Sequence, residues 1–439
     1  MEYRVEPGGC LQGRVRVPGD KSISHRALML TSIANGTSCV SGLLEGDDVL
    51  ATKTALQAMG VLIERAGPGE YRVHGVGRTG LTAPAGTLDL GNSGTAMRLL
   101  TGLLAGQGFT SRLTGDTSLC SRPMERVARP LREMGARVTT TKAGTPPIEI
   151  AATSTLHAID YVLPVPSAQV KSAILFAGMY ADGTTCVSQP EPSRDHTERM
   201  LCAMGYPCEI SPPRVCIRGG GSLAATDIEV PGDMSSAAFF IAGACITPGS
   251  DITLEYVGVN PTRIGVITLL KRMGADIRLR RERNVGGEPV ADIDARYAPL
   301  RGIEVPPAQV PLAIDEIPIL CVAAACAQGT TRIRGAAELR HKESDRIAVV
   351  AAGLRKLGID VEEFDDGLSV AGGQLAGGVV HSGGDHRVAM AMAIAGLNAS
   401  GAVTITDCDN VMTSFPDFPG RARSLGVLVH SRGAASLGG

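Results

Sequence analysis

Leu131-Arg132-Glu133-Met134-Gly135, followed by Ala136-Arg137-Val138-Thr139, reads as the last turn of a helix, a glycine cap and the start of a strand. The same phrase returns five more times. Its other copies are Leu56-Gln57-Ala58-Met59-Gly60, Leu201-Cys202-Ala203-Met204-Gly205, Leu270-Lys271-Arg272-Met273-Gly274, Leu354-Arg355-Lys356-Leu357-Gly358 and Ala422-Arg423-Ser424-Leu425-Gly426. The spacing of about 70 to 85 residues is too long for a solenoid repeat and suits a small subdomain of strands and helices. Six copies therefore predict six subdomains.

Between the caps a second element recurs: a strand, a polar loop, an apolar run of helix length, then Gly and another strand. The loops are Pro18-Gly19-Asp20-Lys21-Ser22, Gly91-Asn92-Ser93-Gly94-Thr95, Pro166-Ser167-Ala168-Gln169, Pro231-Gly232-Asp233-Met234-Ser235, Ala313-Ile314-Asp315-Glu316 and Gly383-Gly384-Asp385-His386-Arg387. Val17-Pro18-Gly19-Asp20 matches Val230-Pro231-Gly232-Asp233 in a register that also aligns Gly36 with Gly249. The chain reads as a duplication, two domains of three subdomains with a boundary near residues 224 to 229. Because the first strand ends at Val17 and its mate opens the second half, the halves are placed to exchange strands. The runs Ala27 to Ala34 and Val388 to Leu397 are apolar nearly all round, which predicts buried helices. Such helices offer free backbone N–H groups and a positive dipole end at their loops, so starts facing one cleft would bind anions.

Composition narrows the function. The 439 residues carry 42 basic against 44 acidic side chains, a net charge of -2, which gives no global attraction for nucleic acid or an anionic membrane. Any anion site must be local. No Trp and 3% aromatics leave the cores to Ala, Val, Ile, Leu and Met. The eleven cysteines form no CxxC pair and read as reduced residues of a cytoplasmic protein. Residues 1 to 4 lack a signal-peptide core, and apolar runs such as Ile317 to Ala327 fall short of about 18 residues. The small residues from Gly433 to Gly439 read as a frayed tail. Metal binding is disfavoured, since the eight histidines show no HExxH or paired spacing.

The loops hold the candidates. Lys21, Ser22 and Arg26 open one helix, either as an anion site or as a serine N-cap with two solvated cations. Gly91 to Thr95 with Arg98 suits a phosphate or carboxylate, although Asn-Ser-Gly is also ordinary turn chemistry. Arg122, beside Thr114-Gly115-Asp116, looks directed at a site, whereas Arg126 and Arg129 read as a solvated face. Lys342 and Arg346 lie four apart, where like charges on a helix repel unless an anion, or Glu343 and Asp345, relieves them. Asp315-Glu316 sits between apolar stretches, which suits acid–base work or a helix cap. Asp385-His386-Arg387 opens another apolar helix, and Arg194 with Glu198 is alternatively an exposed ion pair.

Taken jointly, Val17 to Arg26 (VPGDKSISHR), Gly91 to Arg98 (GNSGTAMR), Ser167 to Lys171 (SAQVK), Arg194 to Glu198 (RDHTE), Asn260 to Arg263 (NPTR), Lys342 to Arg346 (KESDR) and Asp385 to Arg387 (DHR) closely resemble the EPSP synthase family, the 3-phosphoshikimate 1-carboxyvinyltransferases. The resemblance runs in order along nearly the whole chain. It implies an α/β fold, a two-domain inside-out α/β barrel of six βαβαββ subdomains, three per domain. The implied domains are residues 1–18 with 228–439, and residues 19–227, with the active site in the cleft between them. It implies enolpyruvyl transfer from phosphoenolpyruvate to the 5-hydroxyl of shikimate 3-phosphate in a cytoplasmic monomer of the chorismate pathway, with no cofactor, metal, nucleic acid or membrane.

Carried over motif by motif, shikimate 3-phosphate falls on Lys21, Ser22, Arg26, Ser167, Ala168, Gln169, Arg194, Asp315 and Lys342. Phosphoenolpyruvate falls on Lys21, Asn92, Gly94, Arg122, Gln169, Glu343, Arg346 and Arg387. Asp315 is the implied base toward the 5-hydroxyl, Glu343 the acid at C3, and Lys21 shares proton transfer. Two features depart from or subdivide the family pattern. Thr413-Ser414 precede Phe415-Pro416-Asp417 where many relatives carry Lys. SAQVK, RDHTE and NPTR resemble the class II, glyphosate-insensitive branch, yet Gly94 stands where some insensitive members carry Ala, so the expectation is reduced but not absent inhibition. The competing readings are the sister transferase acting on UDP-N-acetylglucosamine, which has Lys-Asn in place of Lys21-Ser22, and a non-catalytic paralogue, which retention of Asp315, Glu343 and Lys21 argues against.

Overall fold

The computed structural model describes residues 1–433; the tail from 434 to 439 lies outside the described residues. All six cap glycines, Gly60, Gly135, Gly205, Gly274, Gly358 and Gly426, adopt positive φ, between 78° and 103°. Each ends a helix in the left-handed region that a Cβ disfavours, and the chain then turns back into the next segment.

The chain divides into two compact units. One comprises Met1–Pro18, Pro231–Arg283 and the residues from Pro289 onward; the other comprises Gly19–Val230 with Asn284–Glu288. The Gly19–Val230 unit holds three four-stranded sheets of one design. In the first, Ile228–Glu229 runs parallel to Asn35–Ser41, which pairs antiparallel with Glu70–Val76, itself antiparallel to Leu62–Gly67. The sheets centred on Ser111–Thr114 and Thr184–Ser188 repeat that order.

The other unit repeats it again. Gln12–Val15 runs parallel to Asp251–Gly258, and Gly378–His381 runs parallel to Val403–Thr406 with Glu2–Val5 and Val429–Arg432 beyond. In its remaining sheet, isolated parallel bridges from Arg301 and Glu304 stand in for the fourth strand beside Thr330–Ile333. Strand exchange is present. Gln12–Val15 precedes the Lys21–Ser32 helix in sequence yet pairs with Asp251–Gly258, while Ile228–Glu229 precedes the Met234–Ile246 helix yet pairs with Asn35–Ser41.

Six helices start at the polar loops: Lys21–Ser32, Gly94–Ala105, Ala168–Gly178, Met234–Ile246, Ile317–Ala325 and His386–Ala395. They are buried along almost their whole length, three forming the centre of each unit with the sheets outside. Close approach is built in at Gly102, where a Cβ would lie 2.2 Å from the Ala173 carbonyl oxygen. Five of the fourteen aromatic residues gather in one place. Phe240 stacks on Phe418 at 5.8 Å, and Phe239, Phe415 and Tyr3 close the same cluster.

Two expectations are corrected. Cys186 and Cys216 face each other across the antiparallel pair Thr184–Ser188 and Arg214–Arg218, with Cα atoms 4.1 Å apart, and are joined as a disulfide. Directly opposed residues point to the same face of a sheet, which linear spacing of 30 residues does not reveal. The helical segment Pro307–Ala325 is, by length and composition, long and apolar enough to cross a membrane. Most of it is packed inside its unit, and it carries Asp315 and Glu316, as suits a core helix of a globular protein.

Candidate active site

In the Gly19–Val230 unit the candidates gather at the starts of three buried helices. Asp20, not Ser22, caps Lys21–Ser32, its carboxylate accepting from the Ile23 N–H at 2.9 Å. Ser22 is thereby left in the first turn. Lys21 pairs with Asp48 in the first turn of Asp47–Ala58. Arg26 is buried rather than solvated: Nε donates to Thr197 Oγ1 at 2.6 Å, Nη2 to Ser172 Oγ at 2.8 Å and Nη1 to the Ser22 carbonyl at 2.9 Å. It ties the Lys21 helix to Ala168–Gly178 and His196–Ala203. Burial pulls Arg26 down to about 10, Arg194 adding to the fall while Glu198 and Asp20 oppose it.

Ser93 caps Gly94–Ala105 and Ser167 caps Ala168–Gly178 through the Ala96 and Val170 N–H groups. Asn92 donates to Asp116 at 2.7 Å and accepts from Arg122, so the loop and the arginine are fixed together. A Cβ on Gly94 would lie 3.2 Å from both Arg122 Nη1 and Arg98 Nη1. Arg98 donates to Gln169 Oε1 at 2.6 Å, and Gln169 donates to Thr95 Oγ1 at 2.9 Å. Arg98 thus orients Gln169. Arg126 is half-buried, contrary to the solvated reading, whereas Arg129 is exposed and pairs with Glu133. Arg194 is half-buried next to the Arg26 charge. Glu198 is buried against Lys171 at 2.6 Å, so the exposed-pair reading of Glu198 is corrected.

Sequence spacing does not single out His25. Its Nδ1 lies 2.7 Å from Thr52 Oγ1 and its Nε2 3.5 Å from Ser93 Oγ. Ser93 Oγ also accepts from the Ala96 N–H, so His25 bridges the Asp47–Ala58 helix and the cap of Gly94–Ala105. Burial, with Lys21 and Arg26 nearby, holds His25 well below the usual histidine range.

In the other unit the candidates surround Asp315. This residue lies in the tight turn Ile314–Glu316, and the helix that follows starts without a side-chain cap, which removes the capping alternative for Asp315. Three cations approach its carboxylate: Arg346 at 3.3 Å, Arg387 at 3.7 Å and Lys342 at 3.8 Å. Arg346 is fully buried, donating Nε to Asp385 at 2.8 Å and Nη2 to Glu343 at 2.6 Å. Burial works against its charge, but Asp385, Glu343 and Asp315 outweigh it and hold Arg346 above the usual arginine range. Burial pushes Asp385 up and Arg346 more than reverses this. Asp385 also caps His386–Ala395 by accepting from the Arg387 N–H at 2.9 Å.

Lys342 and Arg346 do not share a helix. Asp345 caps Arg346–Lys356, leaving Lys342 in the preceding turn, so their approach to one carboxylate is tertiary. Desolvation lowers Lys342 below the ordinary lysine value, with Asp315 opposing and Arg346 adding to the fall. Thr413 is buried and donates to the Asn410 carbonyl at 2.7 Å.

Comparison with known proteins gives one answer. The family model described as EPSP synthase (3-phosphoshikimate 1-carboxyvinyltransferase) matches residues 5–421. The chain is 59% identical to the 3-phosphoshikimate 1-carboxyvinyltransferase of Methylococcus capsulatus, over 97% of this chain and 98% of the relative. It is 58% identical to that of Alkalilimnicola ehrlichii, over 99% and 98%. Among solved structures, EPSP synthase from Acinetobacter baumannii superposes with a TM-score of 0.89 at 52% identity, covering 98% of this chain and all of that one. The enolpyruvyl transferase NikO from Streptomyces tendae, 20% identical, shares the fold with a TM-score of 0.79 over 98% of each chain.

Proposed function

The chain belongs to the EPSP synthase family and has its two-domain enolpyruvyl transferase fold, and from that premise we propose how its own residues transfer the enolpyruvyl group of phosphoenolpyruvate to the 5-hydroxyl of shikimate 3-phosphate, releasing phosphate. The observation that carries the proposal is Asp315: a carboxylate not used as a helix cap, at the head of a buried helix, with Lys342, Arg346 and Arg387 all within 3.8 Å.

Asp315 accepts the proton of the 5-hydroxyl as its oxygen attacks C2 of phosphoenolpyruvate, while Glu343 delivers a proton to C3. The product of this addition is a tetrahedral ketal phosphate. Return of a C3 proton to Glu343 expels phosphate, which carries away the proton taken from the 5-hydroxyl, and forms the enol ether. Arg122, Arg346 and Arg387 hold the carboxylate and phosphate of phosphoenolpyruvate, with Asn92, Gly94 and Gln169 shaping that subsite. Lys21, Ser22, Arg26, Ser167, Ala168, Gln169, Arg194 and Lys342 hold shikimate 3-phosphate, and Lys21 shares in proton transfer. Guanidinium groups fixed in advance by buried carboxylates need no reorganisation as charge moves to the leaving phosphate, which is where such sites gain most of their rate.

Phosphate release by purified protein given both substrates tests this, with UDP-N-acetylglucosamine in parallel. Turnover only with shikimate 3-phosphate, lost in Asp315→Ala, is expected; turnover with the sugar nucleotide, or none with either, overturns it.

Within the family we place this chain on the class II side, as a cytoplasmic monomer with partial glyphosate sensitivity. Gly94 leaves open the space a methyl would fill against Arg122 and Arg98. A sub-micromolar inhibition constant would refute the partial sensitivity, and a dimer by light scattering the monomer.

A further inference from the structure

Asn260-Pro261-Thr262-Arg263 forms a hydrogen-bonded turn after the Asp251–Gly258 strand. Asn260 Oδ1 accepts from the Thr262 N–H at 2.9 Å and from the Thr262 hydroxyl at 2.8 Å, and the Arg263 N–H returns to the Asn260 carbonyl at 2.8 Å. This turn directs Arg263 inward, where it is buried. Its Nη2 donates to Asp233 Oδ1 at 3.1 Å and to Ser235 Oγ at 2.7 Å. A serine hydroxyl has one hydrogen. With Arg263 donating to its oxygen, Ser235 sends that hydrogen to Glu316 Oε1, an acceptor that is itself buried.

Glu316 faces Arg387, whose Nη1 lies 3.5 Å from the same Oε1 and also donates to the Asp315 carbonyl at 3.2 Å. Charges therefore alternate along one chain of contacts: Asp233, Arg263, Glu316 through Ser235, Arg387, Asp315 and Arg346. Buried charges persist only when paired and hydrogen-bonded, so each member restricts the next. Arg387 is held between two carboxylates on adjacent residues. Without Glu316 it is left to Asp315, the proposed base.

We infer that Arg263 and Ser235 are positioning residues for phosphoenolpyruvate: they hold the Glu316 carboxylate where it shares Arg387 with Asp315, so that the guanidinium stays available to the substrate. This rests on the reading of Arg387 as a phosphoenolpyruvate contact.

The test is steady-state phosphate release by the full chain, varying each substrate in turn, with shikimate 3-phosphate binding measured separately by calorimetry. Ser235→Ala is expected to raise KM for phosphoenolpyruvate roughly tenfold, the worth of a hydrogen bond to a charged group, and to leave the shikimate 3-phosphate dissociation constant within about twofold. Glu316→Gln keeps the shape but drops the charge facing Arg387, and raises the same KM should Ser235→Ala fail to fold. Arg263→Met raises it too, but adds less than about twofold in the Glu316→Gln background, because both changes act on one contact. A normal phosphoenolpyruvate KM in Ser235→Ala or Glu316→Gln, equal losses for both substrates, or effects of Arg263→Met and Glu316→Gln that multiply would each overturn the inference. An inactive wild-type protein would instead overturn the functional reading on which it rests.

Discussion

Lys171 and Glu198 form an ion pair at 2.6 Å with both side chains almost wholly buried, joining the Ala168–Gly178 helix to His196–Ala203. Replacing Lys171 by Met preserves most of the volume and the apolar stem but leaves Glu198 without its cation. The cheapest escape for a buried carboxylate is to take up a proton. Against an ordinary glutamate value of about 4.3, at about 1.4 kcal/mol per pH unit, this costs roughly 3.7 kcal/mol at pH 7 and roughly 1 kcal/mol at pH 5. The first figure falls within the usual penalty of about 3 to 5 kcal/mol for breaking a buried pair. The sign follows from proton counting: the folded variant binds a proton that its unfolded chain releases above about pH 4.3, so the variant loses stability relative to wild type as pH rises. Urea unfolding of wild type and Lys171→Met at pH 5, 6 and 7 measures the difference. Lys171→Met/Glu198→Gln, which has no charge to bury, should recover at least half of the pH 7 loss. A penalty independent of pH, or a double variant no better than the single, would refute the reasoning.

Three further outcomes follow from the same geometry. Arg346→Lys puts one ammonium where a guanidinium serves Asp385, Glu343 and Asp315, and should lower kcat/KM by about 100-fold or more in the phosphate-release assay; a loss under about fivefold would contradict the clamp. Because desolvation lowers Lys342, its cation is lost at a pH below the ordinary lysine value, so calorimetric affinity for shikimate 3-phosphate should fall as pH rises through that range, and Lys342→Arg should remove the fall. His25 stays neutral in the folded protein while an unfolded histidine charges below about pH 6.5, so wild type should lose up to about 1.4 kcal/mol per pH unit relative to His25→Gln as pH falls from there. Equal pH slopes for the two proteins in urea unfolding would exclude this.

The repeat was legible because its signal is backbone chemistry. Six glycines in the left-handed region and loops that begin buried helices leave a local mark whatever the rest of the chain does. The exchange of Gln12–Val15 and Ile228–Glu229 followed from the same register match. Spacing failed where two neighbours could do one job. Asp20 and Ser22 are both of a type that caps helices, and the helix begins at Lys21, which leaves the task to Asp20. Asp345 starts the helix only at Arg346, beyond Lys342, so a pair read as i,i+4 became two separate approaches to Asp315. Burial of charge was invisible for the same reason. Arg26, Lys171 and Arg263 look like surface cations until their partners from other elements, Ser172 and Thr197, Glu198, and Asp233, are in place.

The six helix starts also explain why the proposed base lies where it does. Every buried helix must satisfy N–H groups in its first turn, and five of the six do so with a side chain: Asp20, Ser93, Ser167, Asp233 and Asp385. A carboxylate used this way is committed to the backbone, and Asp385 and Asp233 divide what remains between helix and arginine. Ile317–Ala325 is the exception. Pro318 in its first turn has no N–H to satisfy, and no side chain caps the helix. Asp315 is thereby spared the task its counterparts perform, and its carboxylate faces Lys342, Arg346 and Arg387 instead.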